Sequence, residues 1–355
     1  MKPGAQRPFF CGVLIVLLCL ICGSAQAAHK KEHAPALTQE SIENTQWSGK
    51  VPSGSLNPLI VKVEVLLDRA AFSPGEIDGR GGENFEKALK VYQQANELDP
   101  TGRLDQPTWD RLVRSSAASI TRIYTIGEHD VEGPFVKRIP KQLDEMAKLD
   151  RLGYRSPSEL LAEKFHMSEQ LLAALNKGKK LDQAGTEILV ANVAEMDLDN
   201  LSAKDRARRR NDSGKPSAIA ARVEVDKSAR AVRVFGKDGK LLAFYPASIG
   251  SSEKPAPSGK FAVRSVNLNP TYHYNPKYGF KGQKANRPVT VPAGPNNPVG
   301  VIWIDLTARS YGLHGTPEPQ NVSKTESHGC IRLTNWDALA LSRLVREGTP
   351  VEFLD

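Results

Sequence analysis

The chain has 355 residues, 40% of them hydrophobic, with 48 Lys and Arg against 40 Asp and Glu and a formal net charge of +8. That length suffices for two or three domains. After residue 22 no stretch is long and apolar enough to cross a membrane, and the charge is spread too thinly to mark a nucleic-acid binder.

The first residues read as an export signal. Lys2 and Arg7 form a basic start, Phe9 to Cys22 is apolar and short for a bilayer span, and Ala25-Gln26-Ala27 is a small-x-small cleavage pattern. The expectation is a signal peptide over residues 1–27, with an uncleaved anchor as the alternative, and a destination in the periplasm or cell wall. Removing Lys2 and Arg7 takes the charge from +8 to +6. Outside the cytoplasm that excess favours anionic wall polymers or lipid head groups. Cys11, Cys19 and Cys22 leave with the signal, so Cys330 remains alone. A single exported cysteine has no intramolecular disulfide partner, and its chemistry needs another explanation.

Residues 28–57 are polar and aperiodic and read as a flexible lead-in. Ile60, Val63, Leu66 and Leu67 share one helical face. Turn residues follow from Phe72 to Gly79. Phe85, Ala88, Leu89, Tyr92 and Gln93 mark a second helix, Asp99-Pro100-Thr101-Gly102 a turn, and Thr108, as N-cap, a third helix through Leu112. Residues 58–115 resemble the small three-helix peptidoglycan-binding domain, which implies contact with wall glycan.

Within 120–195, Arg122–Ile126 reads as a strand. Tyr154–Asn176 reads as two helices and Ala184–Val190 as a closing strand. The order is similar to a LysM glycan-binding fold with Gly127–Gly153 inserted. His166 reads as a packing or surface histidine, since no second ligand stands at metal spacing. Residues 196–220, with Arg206, Arg208, Arg209 and Arg210, form a charged linker; a nucleic-acid arm is the less favoured alternative.

From Ala221 onward the pattern is β: Arg222–Asp226, Ala231–Phe235, Leu241–Pro246, Gly259–Val266 and Val299–Ile304 alternate between Gly/Pro/Asp turns. Trp336–Arg346 is the late helix, with Asn335 as its expected cap. The fold class is therefore α+β multidomain: a small helical bundle, a LysM-like α/β segment, then a mainly-β sandwich-like domain over 221–355.

The chemistry concentrates in Ser327-His328-Gly329-Cys330-Ile331-Arg332 and Tyr311-Gly312-Leu313-His314-Gly315-Thr316. A thiol becomes a strong nucleophile as a thiolate, and an imidazole can take its proton and store it as an ion pair. His328 shares a side with Cys330 in an extended segment, and His314 reaches it if the chain folds back. Gly315 and Gly329 allow close backbone approach, and the amides of Gly329 and Cys330 can face a developing oxyanion. The alternatives are an inert core cysteine, or zinc on His314, His328 and Cys330.

Together these motifs resemble the YkuD-type L,D-transpeptidase catalytic domain, supported by Pro257-Ser258-Gly259-Lys260-Phe261, Asn297-Pro298-Val299-Gly300 and Gly348-Thr349-Pro350-Val351. The resemblance implies Cys330 as nucleophile, His314 as base, the Gly315 carbonyl orienting the His314 ring, and His328 and Gly329 supporting the oxyanion. It also implies Ser327 and Arg332 as pocket residues, and Tyr272 and Tyr311 are further candidate substrate-binding residues. Arg332 is expected to bind a substrate carboxylate or to form a structural ion pair. The segment from Asn267 to Pro292 is expected to act as a lid. The implied reaction needs neither cofactor nor metal: acyl transfer from peptidoglycan stem peptides through a thioester to a second stem, an envelope lipoprotein lysine or water. The water outcome makes it an L,D-carboxypeptidase; a non-catalytic wall-binding scaffold is the rival from another class.

Overall fold

The computed structural model describes residues 37–51, 54–196, 220–251, 254–278, 284–327 and 329–355. All of them lie in one unit, Ala34–Asp355. The expected signal peptide, most of the charged linker and His328 lie outside the described residues. Among the described residues no helix is long and apolar enough to cross a membrane.

The lead-in is partly folded, contrary to its polar pattern. Helix α1 (Gln39–Asn44) is capped by Thr38 and anchored by the fully buried Ile42. Its Glu43 accepts from the Ile120 and Thr121 amides at 3.0 and 2.8 Å, and Lys62 donates to the Glu43 carbonyl at 2.6 Å. One apolar anchor gives no periodicity, so tertiary contact decides this helix.

Three helices follow: α2 (Pro58–Arg69), α3 (Glu83–Ala95) and α4 (Gln106–Arg114). Asn57 caps α2, and Pro58 takes the first turn, where no amide partner is needed. Asp105, not Thr108, caps α4. Thr108 is buried, and its hydroxyl accepts from Gln93 Nε2 at 2.9 Å. With the Thr108 hydroxyl buried against Gln93, the cap falls to Asp105, whose side chain accepts from Thr108 N.

Strands β1 (Thr121–Thr125) and β2 (Glu187–Ala191) pair antiparallel and enclose four helices in sequence. Those are α5 (Glu128–Glu132), α6 (Leu143–Met146), α7 (Pro157–Lys164) and α8 (Glu169–Leu175). The strand–helix–helix–strand order stands, with α5 and α6 inside the insertion. His166 is buried at positive φ, bonded to Asp68 at 2.9 Å and stacked on Trp336 at 5.2 Å, which makes it a packing residue.

The last region is one nine-stranded mixed sheet in the order β5-β4-β3-β13-β7-β10-β11-β12-β6. Its first half holds β3 (Arg222–Asp226), β4 (Ala231–Phe235), β5 (Leu241–Pro246) and β13 (Pro350–Leu354). Its second half holds β6 (Ser248–Ile249), β10 (Ile302–Leu306), β11 (Gly312–His314) and β12 (Ile331–Arg332). The ten-residue β7 (Gly259–Leu268) pairs with both halves, and side chains from both halves share one apolar core. Helix α9 (Asn335–Leu344) packs on β10 and β11. Its cap is Thr334; Asn335 is the first helical residue and is fully buried.

The segment expected as a lid is a hairpin of β8 (Tyr272–Tyr274) and β9 (Val289–Val291). It packs on the insertion through Leu143, Leu152, Tyr274 and Val291. Gly294 passes so close to Leu152 that a Cβ there would stand 2.2 Å from the Leu152 carbonyl oxygen. The helical region and the sheet are joined by buried polar bonds as well. Ser73 Oγ donates to Asp337 at 2.9 Å, Asn84 to the Val322 carbonyl at 3.1 Å, and Ser73 N to the Phe244 carbonyl at 2.9 Å.

Candidate active site

Register builds the site. Trp303 pairs with His314 across β10 and β11, and His314 pairs with Arg332 across the parallel β11 and β12. Paired residues face the same side, so these three form one row. Leu313 and Ile331, the other registered pair, point into the core. Cys330 immediately precedes β12 and lines the same cleft as His314 and Arg332. The two distant motifs meet because β11 and β12 pair.

His314 is buried, and its Nδ1 lies 2.7 Å from the Gly315 carbonyl oxygen. A carbonyl only accepts, so Nδ1 carries the hydrogen and Nε2 is left as the acceptor. The Trp303 ring lies over the imidazole at 5.5 Å with 18° between the planes. Burial, reinforced by the Arg332 charge, pushes the His314 pKa down to about 3 against the effect of the Gly315 bond. The Cys330 thiol is pushed up by burial, while the Gly312 amide and Arg332 favour the thiolate. Both directions favour the neutral forms of the two groups. The thiol sits 3.8 Å from the Ser310 carbonyl.

Gly329 has φ +105°, and a Cβ there would press on Tyr311 at 3.1 Å. This is a conformation and a space suited to glycine. Ser327 stands at the cleft wall, but its hydroxyl is occupied: it accepts from Gly250 N at 2.7 Å and donates to the Cys330 carbonyl. It clamps the cysteine loop onto β6. Arg332 Nε is buried without a partner among the described residues, and burial lowers the guanidinium pKa. Tyr311 donates to the Pro255 carbonyl at 3.3 Å. Tyr272 and Tyr311 both line the cleft with Cys330, His314 and Arg332. His328 lies outside the described residues, and with it the possible zinc set.

The cleft is about 2000 Å³. One wall comes from the inserted segment, at Arg138 and Leu143, and part of another from Glu159 and Glu163 on α7. Sequence reading missed Trp303, Asn335 and these α7 carboxylates. The first two lie in apolar or turn-like stretches whose pattern reported only structure.

Cys330 and the buried His314 line one cleft, and the His314 ring is held by the next residue's carbonyl; a thiol and an imidazole within reach of each other are the groups nucleophilic catalysis uses. Residues 220–353 match the model of the L,D-transpeptidase catalytic domain, and residues 57–112 that of a putative peptidoglycan binding domain. Over residues 220–353 the chain is thus similar to the catalytic domain of the L,D-transpeptidases. Neither match covers the LysM-like segment. The putative L,D-transpeptidase YkuD of Bacillus licheniformis is 28% identical over 54% of this chain and 90% of its own length. The probable L,D-transpeptidase YbiS of Escherichia coli is 29% identical over 39% of this chain and 46% of its own. The solved L,D-transpeptidase 3 of Mycobacterium tuberculosis aligns at 21% identity over 38% of this chain and 60% of that one, with a TM-score of 0.31, too low to carry weight.

Proposed function

We propose that this protein is an exported cysteine L,D-transpeptidase that acts on peptidoglycan tetrapeptide stems in the periplasm or cell wall. The observation that carries the reading is that His314 and Arg332, register partners on β11 and β12, line one cleft with Cys330, the residue just before β12. The family match and the peptidoglycan-binding match support a wall substrate.

In this reading Cys330 Sγ attacks the carbonyl that joins the L-centre of diaminopimelate to the terminal D-Ala. Its proton passes to His314 Nε2 as the C–S bond forms. The neutral resting pair favours this concerted transfer over a stored ion pair. The amides of Gly329 and Cys330 stabilise the oxyanion. Collapse breaks the C–N bond, and His314 returns the proton to the departing D-Ala amine. A thioester remains on Cys330. An acceptor amine then attacks it, loses a proton to His314, and the thiol is restored. A second stem as acceptor gives a 3→3 cross-link, and a lipoprotein lysine gives protein attachment. Arg332 supplies a fixed cation for a substrate carboxylate.

Incubation of the purified protein with tetrapeptide muropeptides, read by mass, tests this. Cross-linked dimers with loss of D-Ala support it, tripeptide alone makes the protein a hydrolase, and no change refutes it.

A further inference from the structure

Glu163 sits on α7, in the LysM-like segment, outside the residues matched by the catalytic-domain model. It is 5% exposed, and its Oε2 accepts from Asn335 Nδ2 at 3.0 Å. Asn335 is fully buried at the start of α9. Its Nδ2 also faces the Pro295 carbonyl at 3.3 Å, and its Oδ1 accepts from Val301 N at 3.2 Å, just before β10. The same oxygen fills the space of a missing side chain at two glycines: a Cβ would stand 2.2 Å from it at Gly315 and 2.1 Å at Gly300. Gly315 is the residue whose carbonyl holds His314 Nδ1. The contact chain runs Glu163, Asn335, Gly315, His314.

We infer that Glu163 is a positioning residue for the acyl-transfer chemistry. It fixes the Asn335 carboxamide against Gly315, so that the Gly315 carbonyl keeps the His314 ring in one tautomer and one orientation. Three independent geometric facts point the same way. The carboxyl is buried and spent on one amide. That amide is wedged against the backbone that orients the base. The two glycines leave no slack around it. Burial also raises the Glu163 pKa to about 8, so at neutral pH it is an uncharged acceptor that glutamine can imitate. A module that looks like a wall-binding accessory thus supplies part of the support for the catalytic base.

The inference rests on the reading of Cys330 and His314 given above. Its test uses the full chain with Glu163→Leu, which keeps volume but removes the acceptor, and Glu163→Gln, which keeps it. Two readouts are taken: turnover of tetrapeptide muropeptide, and the rate at which iodoacetamide alkylates Cys330, located by peptide mass. Glu163→Leu is expected to lower kcat and the alkylation rate about tenfold, as a fractional-ångström misplacement of a catalytic group does. KM should stay within about twofold, and Glu163→Gln should stay near wild type. If Glu163→Leu fails to fold, Glu163→Asp, with its shorter reach, takes its place and should give an intermediate loss. Equal behaviour of the Leu and Gln variants, or losses that follow only the unfolded fraction, overturns the inference. If wild type turns over no muropeptide, the enzymatic reading fails, while the alkylation rates still decide whether Glu163 governs the thiol.

Discussion

The indole of Trp303 lies over the imidazole of His314, with ring centroids 5.5 Å apart and planes 18° from parallel. The two residues are register partners on β10 and β11, so the sheet itself sets the stack. An aromatic face steadies a neutral ring and attracts the imidazolium that forms during proton transfer, by about 0.5–2 kcal/mol. Trp303→Leu should therefore lower kcat about three- to tenfold, with KM changed less. Steady-state kinetics on tetrapeptide muropeptides checks this.

The pH profile should lack the usual histidine limb. With the His314 pKa near 3, the base is already neutral from pH 5 upward. The rate should hold between pH 5 and 7 instead of halving near 6.5. Alkylation of Cys330, which needs the thiolate, should instead climb steadily with pH across that range, and a plateau or clear inflection at 6–7 would count against the neutral pair.

Stability should fall as the solution turns alkaline. Glu76 is raised to about 7 and Glu163 to about 8, chiefly by burial, and Glu64 and Asp337 are raised well above their usual range. A carboxyl whose folded pKa is raised stabilises below its unfolded value, and that contribution is lost as pH climbs through the folded value. Buried neutral His314 acts oppositely, destabilising only as pH drops below 6.5. Between pH 6.5 and 8.5 the carboxyls dominate, so Tm should decline, and Glu76→Gln with Glu163→Gln should flatten that slope in calorimetry.

Gly315→Ala should be costly. The new Cβ would meet Asn335 Oδ1 at 2.2 Å, and both Asn335 and the Gly315 backbone are hydrogen-bonded in place. Overpacking of this kind costs about 1–3 kcal/mol. Denaturant unfolding should show the loss, and activity should fall further than folding alone explains.

Much of the architecture was open to sequence reading because it rests on local rules. Alternation gave β3, β4 and β5, and helical spacing gave α2 and α3. The Cys330 motif was visible because a cysteine left without a partner once the expected signal is removed is hard to explain otherwise. What escaped depends on contacts distant in sequence. The partly folded lead-in hangs on Ile42 and Glu43 meeting α2 and β1. The cap of α4 moved to Asp105 because Gln93 claims Thr108. Glu163 looks like any solvent-facing helix charge until Asn335 folds onto it, 172 residues away. Ser327 lines the cleft, and of the bonds that spend its hydroxyl on holding the cysteine loop, one reaches 77 residues back to Gly250.

The central claim is that Cys330 becomes acylated by a stem peptide. Wild-type protein is mixed with disaccharide-tetrapeptide, quenched in acid within seconds, and digested for peptide mass analysis. The account predicts that the Cys330 peptide gains the mass of the stem minus D-Ala, and that Cys330→Ser shows neither adduct nor product. An unmodified Cys330 during active turnover, or turnover by Cys330→Ser, would contradict it.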